Sequence, residues 1–304
     1  MIDLWGYDIG RFVWFCAAGK SFFPGVGLLI LAAVLPIYKR VIWIDPLRYT
    51  FIILGVVLIF LSATPLYGWF YVIWGLAFVA FLYVVLQWKK DSRKSAFIRI
   101  IFILICLTAI VMELPFHLSP RMPNKSCSKL YVIGDSVSAG IGGKGEKSWP
   151  VILSKQYNIN IANLAVAGAT VGSAIPQANR IVDDNTIILL EIGGNDLFGP
   201  TPPAQFENDL RNLLQKVVNS NRAVIMLELP LRSCDIEYGM IQRKLAKRYN
   251  VMLIPKEFMA SVFAEKDATV DLVHLSSKGH QLMADKVWAL LKDSFTKKDT
   301  TANK

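Results

Sequence analysis

LYVIGDSVSAGIGG, residues 130–143, joins an apolar run to a Gly-Asp-Ser turn and a group of glycines. Strands in the middle of a parallel sheet are buried on both faces, so they are short, continuous apolar segments in the sequence. A segment of this kind that ends in a polar turn predicts the first strand of such a sheet. Ser136 then lies just beyond the carboxyl end of the strand, either as the N-cap of a helix or as a nucleophile.

The sequence downstream of this turn alternates between strand-like and helix-like segments. The predicted strands are 129–134, 158–163, 186–192, 223–229 and 250–255, and the predicted helices are 148–156, 171–182, 204–220, 237–248 and 277–294. This alternation predicts a three-layer α/β fold with a parallel five-stranded sheet. Binding and catalytic sites of such sheets form beyond the carboxyl ends of the strands, so the residues that follow each strand are the candidates for function.

Three more polar segments lie at those strand ends or before the last helix. Gly168 lies in AVAGAT, Asn195 lies in GGND, and Asp271 and His274 lie in DLVH. Each segment alone is typical of an ordinary turn. Together with Ser136, however, they supply a nucleophile, a base in His274 and a carboxylate in Asp271 that orients the base. The backbone N–H groups of Ser136 and Gly168 and the side-chain amide of Asn195 are candidate donors to an oxyanion.

The blocks GDSVSAG, NLAVAGAT, GGND and DLVH resemble those of the SGNH hydrolase superfamily, also called GDSL esterases and lipases. Within it, the sequence resembles the periplasmic thioesterase and lysophospholipase I branch, over about residues 130–290. The resemblance implies a flavodoxin-like three-layer fold, acyl-enzyme chemistry, and no metal or organic cofactor. The site residues it implies are the triad Ser136, His274 and Asp271 and the oxyanion hole Ser136, Gly168 and Asn195.

The first part of the chain has a different composition. Residues 1–117 hold 15 charged residues, against 41 in residues 118–304, and the mean hydropathy of the whole chain is +0.42. Four apolar runs, about 21–38, 49–66, 68–88 and 97–116, predict four transmembrane helices, because about 20 helical residues cross a bilayer. The predicted organisation is a transmembrane domain over 1–117, a tether over 118–128, a hydrolase domain over 129–295 and a polar tail over 296–304.

Basic residues indicate how the chain is oriented. Of the ten Lys and Arg residues in 1–117, eight lie at 39–48 and 89–99, the links between the first and second and between the third and fourth runs. The positive-inside rule assigns these links to the cytoplasm, which predicts an inner-membrane protein whose residues 118–304 lie on the periplasmic, extracytoplasmic side. The net charge of +10 is spread without a dense basic stripe, so nucleic acid is not an expected partner.

These observations predict a membrane-anchored serine ester hydrolase that acts outside the cytoplasm on acyl esters of lipids or lipid-linked substrates. Because substrate choice depends on the surroundings of a triad, an O-acetyl esterase or acyltransferase acting on an envelope polysaccharide stays open. A catalytically dead, membrane-anchored binding module is the third reading. The expected partners are the membrane and a lipid or acylated envelope substrate.

Overall fold

In the computed structural model of the protein, residues 2–35, 44–86, 93–120, 122, 127–141 and 146–295 are described. Residues 39–43 and 89–92 of the predicted basic links, residues 121 and 123–126 of the predicted tether, and the predicted tail over 296–304 therefore lie outside the described residues. The chain divides into two compact units. The first, here called the α/β unit, comprises Met1–Trp14, Ser119–Pro230 and Glu237–Lys304, and the second, the helical unit, comprises Phe15–Leu118 and Leu231–Ile236.

In the part of residues 1–117 that the structure describes, the chain forms five helices. They are α1 (Ile2–Ala17), α2 (Phe22–Val34), α3 (Ile44–Leu61), α4 (Gly68–Leu86) and α5 (Arg93–Glu113), followed by a 3₁₀ turn at Leu114–His117. Within the described residues, Gly68–Leu86 and Arg93–His117 are each long and apolar enough to cross a membrane. A third span is possible if Ile9–Ala17 and Phe22–Val34, which are bent by 82° relative to each other, count as one.

The helical unit is apolar both inside and outside. Phe81 of α4 stacks on Phe102 of α5 with ring centroids 4.5 Å apart, and both side chains are fully buried. On the opposite side of α4, Val72, Leu76 and Val79 are exposed. A helix that is apolar around its whole circumference is typical of a membrane span, because lipid solvates the side chains that do not pack on protein.

The α/β unit is built on a sheet of five parallel strands. The strands are β1 (Lys129–Gly134), β2 (Ile161–Asn163), β3 (Thr186–Glu191), β4 (Arg222–Leu227) and β5 (Met252–Ile254). Their order across the sheet is β2-β1-β3-β4-β5, with every neighbouring pair parallel. The predicted parallel five-stranded sheet is therefore confirmed. The strand order reverses at β1, and this is the place where α/β sheets bind their ligands.

The remaining helices follow and separate these strands. They are α6 (Ser136–Ala139), α7 (Trp149–Tyr157), α8 (Ile175–Ala178), α9 (Gly194–Phe198), α10 (Pro203–Val217), α11 (Ile236–Arg248), α12 (Glu257–Phe263) and α13 (Ser277–Phe295). The central strands are buried on both faces: Leu130, Val132, Ile187 and Leu189 have no exposed surface. From α1, the Trp14 ring packs on Phe263 of α12 with centroids 4.8 Å apart, so the start of the chain contributes to the same core.

Several predicted elements are shorter than the sequence pattern indicates, including the predicted strand 250–255, of which only β5 forms, and the predicted helix 204–220, which ends at Val217. The predicted helix 171–182 is only α8, because Thr170 and Ser173 bond through side chains to each other's backbone N–H groups and form a turn instead. The predicted strand 158–163 begins only at Ile161, because Asn158 adopts the left-handed conformation that ends α7.

Candidate active site

Ser136 lies where β1 gives way to α6. Asp135 caps this short helix, since its Oδ1 accepts a hydrogen bond from the backbone N–H of Val137 at 3.0 Å. The strand end is fixed by Gln177, whose amide both accepts from the N–H and donates to the carbonyl of Gly134, each at 3.1 Å. Ser136, the first residue of α6, is half-buried. It therefore lies just beyond the carboxyl end of β1, on a turn that these hydrogen bonds hold in place.

The segments after β2 and β3 lie on either side of this turn, because these strands flank β1. Gly168 has φ +78°, a backbone conformation that favours glycine, and a Cβ there would meet no atom within 4 Å. The backbone at Gly168 is therefore open to an approaching molecule. Asn195 Nδ2 donates to the carbonyl of Ala169 at 3.0 Å and to Asp135 Oδ2 at 3.3 Å, which joins the ends of β1, β2 and β3.

Asp271 and His274 form a bonded pair just before α13. Asp271 Oδ2 lies 2.7 Å from His274 Nδ1, and Oδ1 accepts from the backbone N–H groups of His274 at 2.8 Å and Val273 at 2.9 Å. These hydrogen bonds lower the pKa of Asp271 to about 2, and the bond from the backbone N–H of His274 has the largest effect. The carboxylate is thus ionised at any physiological pH, and it favours the imidazole form with the proton on Nδ1 and the lone pair on Nε2.

This pair is held by bonds to its own chain and to α13. The backbone N–H of Val270 donates to the carbonyl of His274 at 2.9 Å. Ser276 N donates to the carbonyl of Ala268 at 2.9 Å, and Ser276 Oγ accepts from Gly279 N at 3.2 Å, as expected of an N-cap. The orientation of the imidazole therefore depends on how the start of α13 docks on Ala268.

Three buried acidic residues surround the turn at Ser136. Burial is the main cause that raises the pKa of Asp135 to about 6, while the Val137 N–H and the charge of His274 act in the opposite direction. Burial and the charge of Asp135 raise the pKa of Glu191 well above its usual range, although Ser138 Oγ donates to it at 2.7 Å. Burial also raises the pKa of Asp196, which accepts from Val171 N at 2.8 Å.

The predicted site residues thus fall into two bonded groups. Asn195 is bonded to Asp135, the neighbour of Ser136, and His274 is bonded to Asp271. The effect of His274 on the pKa of Asp135 places the two groups within electrostatic range of each other. No role is predicted from the sequence for Asp135 or Glu191, and Asp196 is expected to support the GGND turn and not to act as a base. Their signal in the sequence is an acidic residue beside a buried apolar strand, where an unpaired charge is costly, and this signal belongs to no recognised motif.

The remaining histidines have other partners. His280 Nε2 lies 2.9 Å from Glu146 Oε1, and its Nδ1 accepts from the backbone N–H of Trp149 at 3.3 Å. In the helical unit, His117 Nε2 lies 3.1 Å from Glu113 Oε1. Among the residues that the structure describes, no three His, Cys, Asp or Glu side chains are grouped as metal ligands.

Comparison with known proteins finds relatives of the part of the chain that carries this candidate site. Residues 132–282 match the model of the GDSL-like Lipase/Acylhydrolase family. The chain is 29% identical to the arylesterase of Vibrio mimicus over 145 residues, which cover 43% of this chain and 72% of that protein. It is 27% identical to the thioesterase 1/protease 1/lysophospholipase L1 of Escherichia coli strain K12 over 166 residues, covering 51% and 79%.

Among solved structures, the psychrotrophic esterase EstA from a Pseudoalteromonas species, inhibited by monoethylphosphonate, superposes with a TM-score of 0.50. The match covers 54% of this chain and 97% of that one at 21% identity. At this identity the likeness supports the fold of the α/β unit.

Proposed function

Because residues 132–282 form a hydrolase domain of the GDSL/SGNH family, we propose that the protein is a membrane-anchored serine ester hydrolase. It acts outside the cytoplasm on acyl esters of lipids or lipid-linked substrates. The catalytic part rests on the bonded pair of Asp271 and His274 and on the electrostatic interaction of His274 with Asp135, the residue before Ser136. The triad, the anchor, the location and the lipid substrate are all parts of this proposal.

The reaction proceeds through an acyl-enzyme. Ser136 Oγ attacks the ester carbonyl while His274 Nε2 takes its proton, and Asp271 keeps the imidazole in the tautomer that can do so. The imidazolium then gives this proton to the leaving alkoxide, so an alcohol departs and the acyl group stays on Ser136. Water deacylates the serine by the same route, with His274 again acting as the base.

The tetrahedral intermediates need donors for their negative oxygen. The backbone N–H groups of Ser136 and Gly168 and the amide of Asn195 supply them, and one such donor is typically worth about 3–4 kcal/mol of barrier. In the resting protein both protons of the Asn195 amide are donated, to Ala169 and to Asp135. The bond to Asp135, 3.3 Å long, is the weaker of the two, so we expect the oxyanion to replace it.

Exposed apolar side chains beside the site favour a lipid substrate. Val166 precedes Gly168 by two residues, Phe198 follows Asn195 by three, and Leu272 follows Asp271 directly. Their exposed fractions are 54%, 58% and 79%. Each of these three active-site segments therefore presents an apolar group to its surroundings, as an enzyme for acyl chains or a lipid surface requires.

The helical unit supports the membrane anchor. Among the described residues, Gly68–Leu86 and Arg93–His117 have the length and composition to cross a membrane, as does the bent pair of Ile9–Ala17 and Phe22–Val34 if it is one span. We propose four spans, over about 21–38, 49–66, 68–88 and 97–116, followed by the tether over 118–128. The basic residues at 39–48 and 89–99 favour a cytoplasmic location for those links, and hence an extracytoplasmic hydrolase domain.

Two neighbouring serines provide the test of the catalytic proposal. Ser136 and Ser138 lie in the same turn of helix, but Ser138 Oγ is buried and bonded to Glu191. In the detergent-solubilised full chain, Ser136→Ala should abolish both labelling by a fluorophosphonate and hydrolysis of p-nitrophenyl esters. Ser138→Ala should remain labelled. Equal labelling of Ser136→Ala and the unmutated protein would show that another residue is the nucleophile.

The acyl preference tests the substrate class in the same assay. We expect kcat/KM to rise from acetyl to long-chain p-nitrophenyl esters, and Leu272→Ser to reduce the rate with long chains more than with acetyl. A steep preference for acetyl would instead favour the O-acetyl polysaccharide alternative. A protein inert to both the esters and the fluorophosphonate would be a binding module.

A further inference from the structure

The helical unit contains an open apolar groove whose walls belong to α3 and α4. Its volume is about 390 Å³, within the range of pockets that hold small ligands. Leu29 and Trp74 form the back of the groove and are almost fully buried, whereas Phe60 at its margin is 74% exposed. The groove therefore opens onto the surroundings of the helices instead of lying closed within their core.

A missing side chain creates this space. Gly75 lines the groove, and a Cβ built on it would meet no atom within 4 Å. Helix–helix packing normally fills such a gap, because an empty apolar cavity forfeits the contacts of its walls. The α3–α4 pair leaves this space open, and the aromatic rings of Phe60 and Phe78 are among the side chains that line it.

The two ends of the groove differ in polarity. At the end near the α3–α4 connection it is lined by Thr64, Tyr71 and Ser233, and there Thr64 Oγ1 bonds to Ser62 Oγ at 2.9 Å. Towards the middle of the helices the lining is apolar, ending at Val56 and Phe78. From Tyr71 to Phe78 the helix rises about 10 Å, which is about two-thirds of the depth of one leaflet.

We propose that this groove binds one acyl chain of a membrane lipid, with the ester end of the chain at Thr64, Tyr71 and Ser233 and its hydrocarbon running toward Val56 and Phe78. Tyr71 OH donates to the carbonyl of Thr64, and Thr64 Oγ1 bonds to Ser62 Oγ, so the first end suits an ester by its polarity, whereas the remainder of the wall suits only hydrocarbon. The inference rests on the proposed membrane insertion of the helical unit, but it does not depend on the catalytic triad.

Photolabelling in lipid vesicles tests the site and its direction. The full chain is reconstituted into phosphatidylethanolamine–phosphatidylglycerol vesicles that contain a phosphatidylcholine with a diazirine in its acyl chain, and labelled residues are mapped by mass spectrometry. A diazirine next to the ester should label the Thr64–Tyr71 end. A diazirine at the chain terminus should label the Val56–Phe78 end.

Two glycine variants provide the matched comparison. Gly75→Leu fills the groove, whereas Gly27→Leu adds the same side chain at a position on α2 that also has open space but does not line it. We expect Gly75→Leu to reduce labelling of the groove residues several-fold and Gly27→Leu to leave it unchanged. Equal groove labelling in both variants, or labelling that ignores the position of the diazirine, would overturn the proposal.

The exposed side of α4 separates failure of the groove from failure of the anchor. Val72, Leu76 and Val79 should be labelled by ordinary bilayer lipid whether or not the groove is a site. Labelling there without labelling in the groove would refute the acyl-chain site alone. Absence of labelling at both would refute the membrane insertion, and groove protection accompanied by cross-links between copies would show that a second chain is the occupant.

Discussion

Asp135 interacts with more parts of the candidate site than Ser136 alone. It caps the helix that begins at Ser136, accepts from the Asn195 amide, and lies within range of the charge of His274. At the same time it is 3% exposed, so its ionised form has lost most of its hydration. Burial disfavours a carboxylate at this position. A carboxylate can nevertheless accept hydrogen bonds from Val137 and Asn195 at once, because both of its oxygens are acceptors. An asparagine here would present one acceptor oxygen and a donor amide.

Asp135→Asn should change how stability depends on pH. The folded-state pKa of about 6 exceeds the unfolded value of 3.8, so the folded protein favours the protonated carboxyl. The resulting destabilisation is absent below pH 3.8, grows between these two values, and is complete above about pH 6. It amounts to about 3 kcal/mol by the usual conversion. The unfolding temperature of the full chain in detergent should therefore fall more steeply with rising pH in the unmutated protein than in Asp135→Asn.

Asp293→Asn, the same substitution at an exposed position of α13, is the matched control. In the same Asp135→Asn protein, the new amide faces the amide of Asn195 with donor against donor. We expect kcat for a p-nitrophenyl ester to fall while KM changes little. A pH–stability curve in Asp135→Asn that parallels the unmutated one would show that this carboxyl does not titrate as described.

At the scale of elements, α13 determines where the imidazole lies. Gly279 faces the carbonyl of Ala268, and a Cβ on it would lie 2.0 Å from that oxygen. Gly279→Ala must therefore displace either the helix or the segment leading to Asp271 and His274. We expect a loss of about 1–3 kcal/mol of stability, the usual cost of overpacking, together with a fall in kcat.

Ser277→Ala, two residues earlier and exposed, is the control for this change at the start of the same helix. Chemical unfolding and ester hydrolysis, measured on the same preparations, should separate the two variants. If Gly279→Ala matches Ser277→Ala in both measurements, the docking of α13 on Ala268 does not control the imidazole.

The elements show why sequence patterns predict some features and miss others. β1, β3 and β4 are continuous apolar runs, and burial on both faces makes such runs distinctive, so they were predicted within one or two residues. The helix predicted at 171–182 failed because side-chain bonds of Thr170 and Ser173 compete with helical ones. α9 and α12 were not predicted, since helices of five and seven residues are too short to establish a periodicity.

The same contrast applies to the candidate site. Ser136, Gly168, Asn195, Asp271 and His274 could be proposed from the sequence because they lie in recognisable segments at strand ends. Burial raises the pKa values of Asp135 and Glu191, the charge of Asp135 raises the pKa of Glu191 further, and both causes depend on distances between strands. A linear sequence does not contain those distances, so these pKa shifts become visible only once the sheet is assembled.

For the whole molecule, the division of the chain differs from a simple order of anchor and enzyme. Met1–Trp14 belongs to the α/β unit, where Trp14 packs on Phe263. Conversely, Leu231–Ile236, which follows β4 in the sequence, belongs to the helical unit, and Leu231 N donates to the carbonyl of Ala17 at 3.1 Å. Each unit thus includes a segment from the other part of the chain, which composition alone does not reveal.

Cysteine accessibility tests the proposed orientation in the membrane. Cys234 is exposed, while Cys16, Cys106 and Cys127 are buried. If residues 118–304 lie outside the cytoplasm, a membrane-impermeant maleimide added to spheroplasts should label the unmutated protein and not Cys234→Ser. In the Cys234→Ser background, Ser92→Cys reports on the basic link at 89–99 and should react only after lysis, because the positive-inside rule places that link in the cytoplasm. If Ser92→Cys is labelled in intact spheroplasts while Cys234 of the unmutated protein is not, the orientation in the membrane is the reverse of the one proposed.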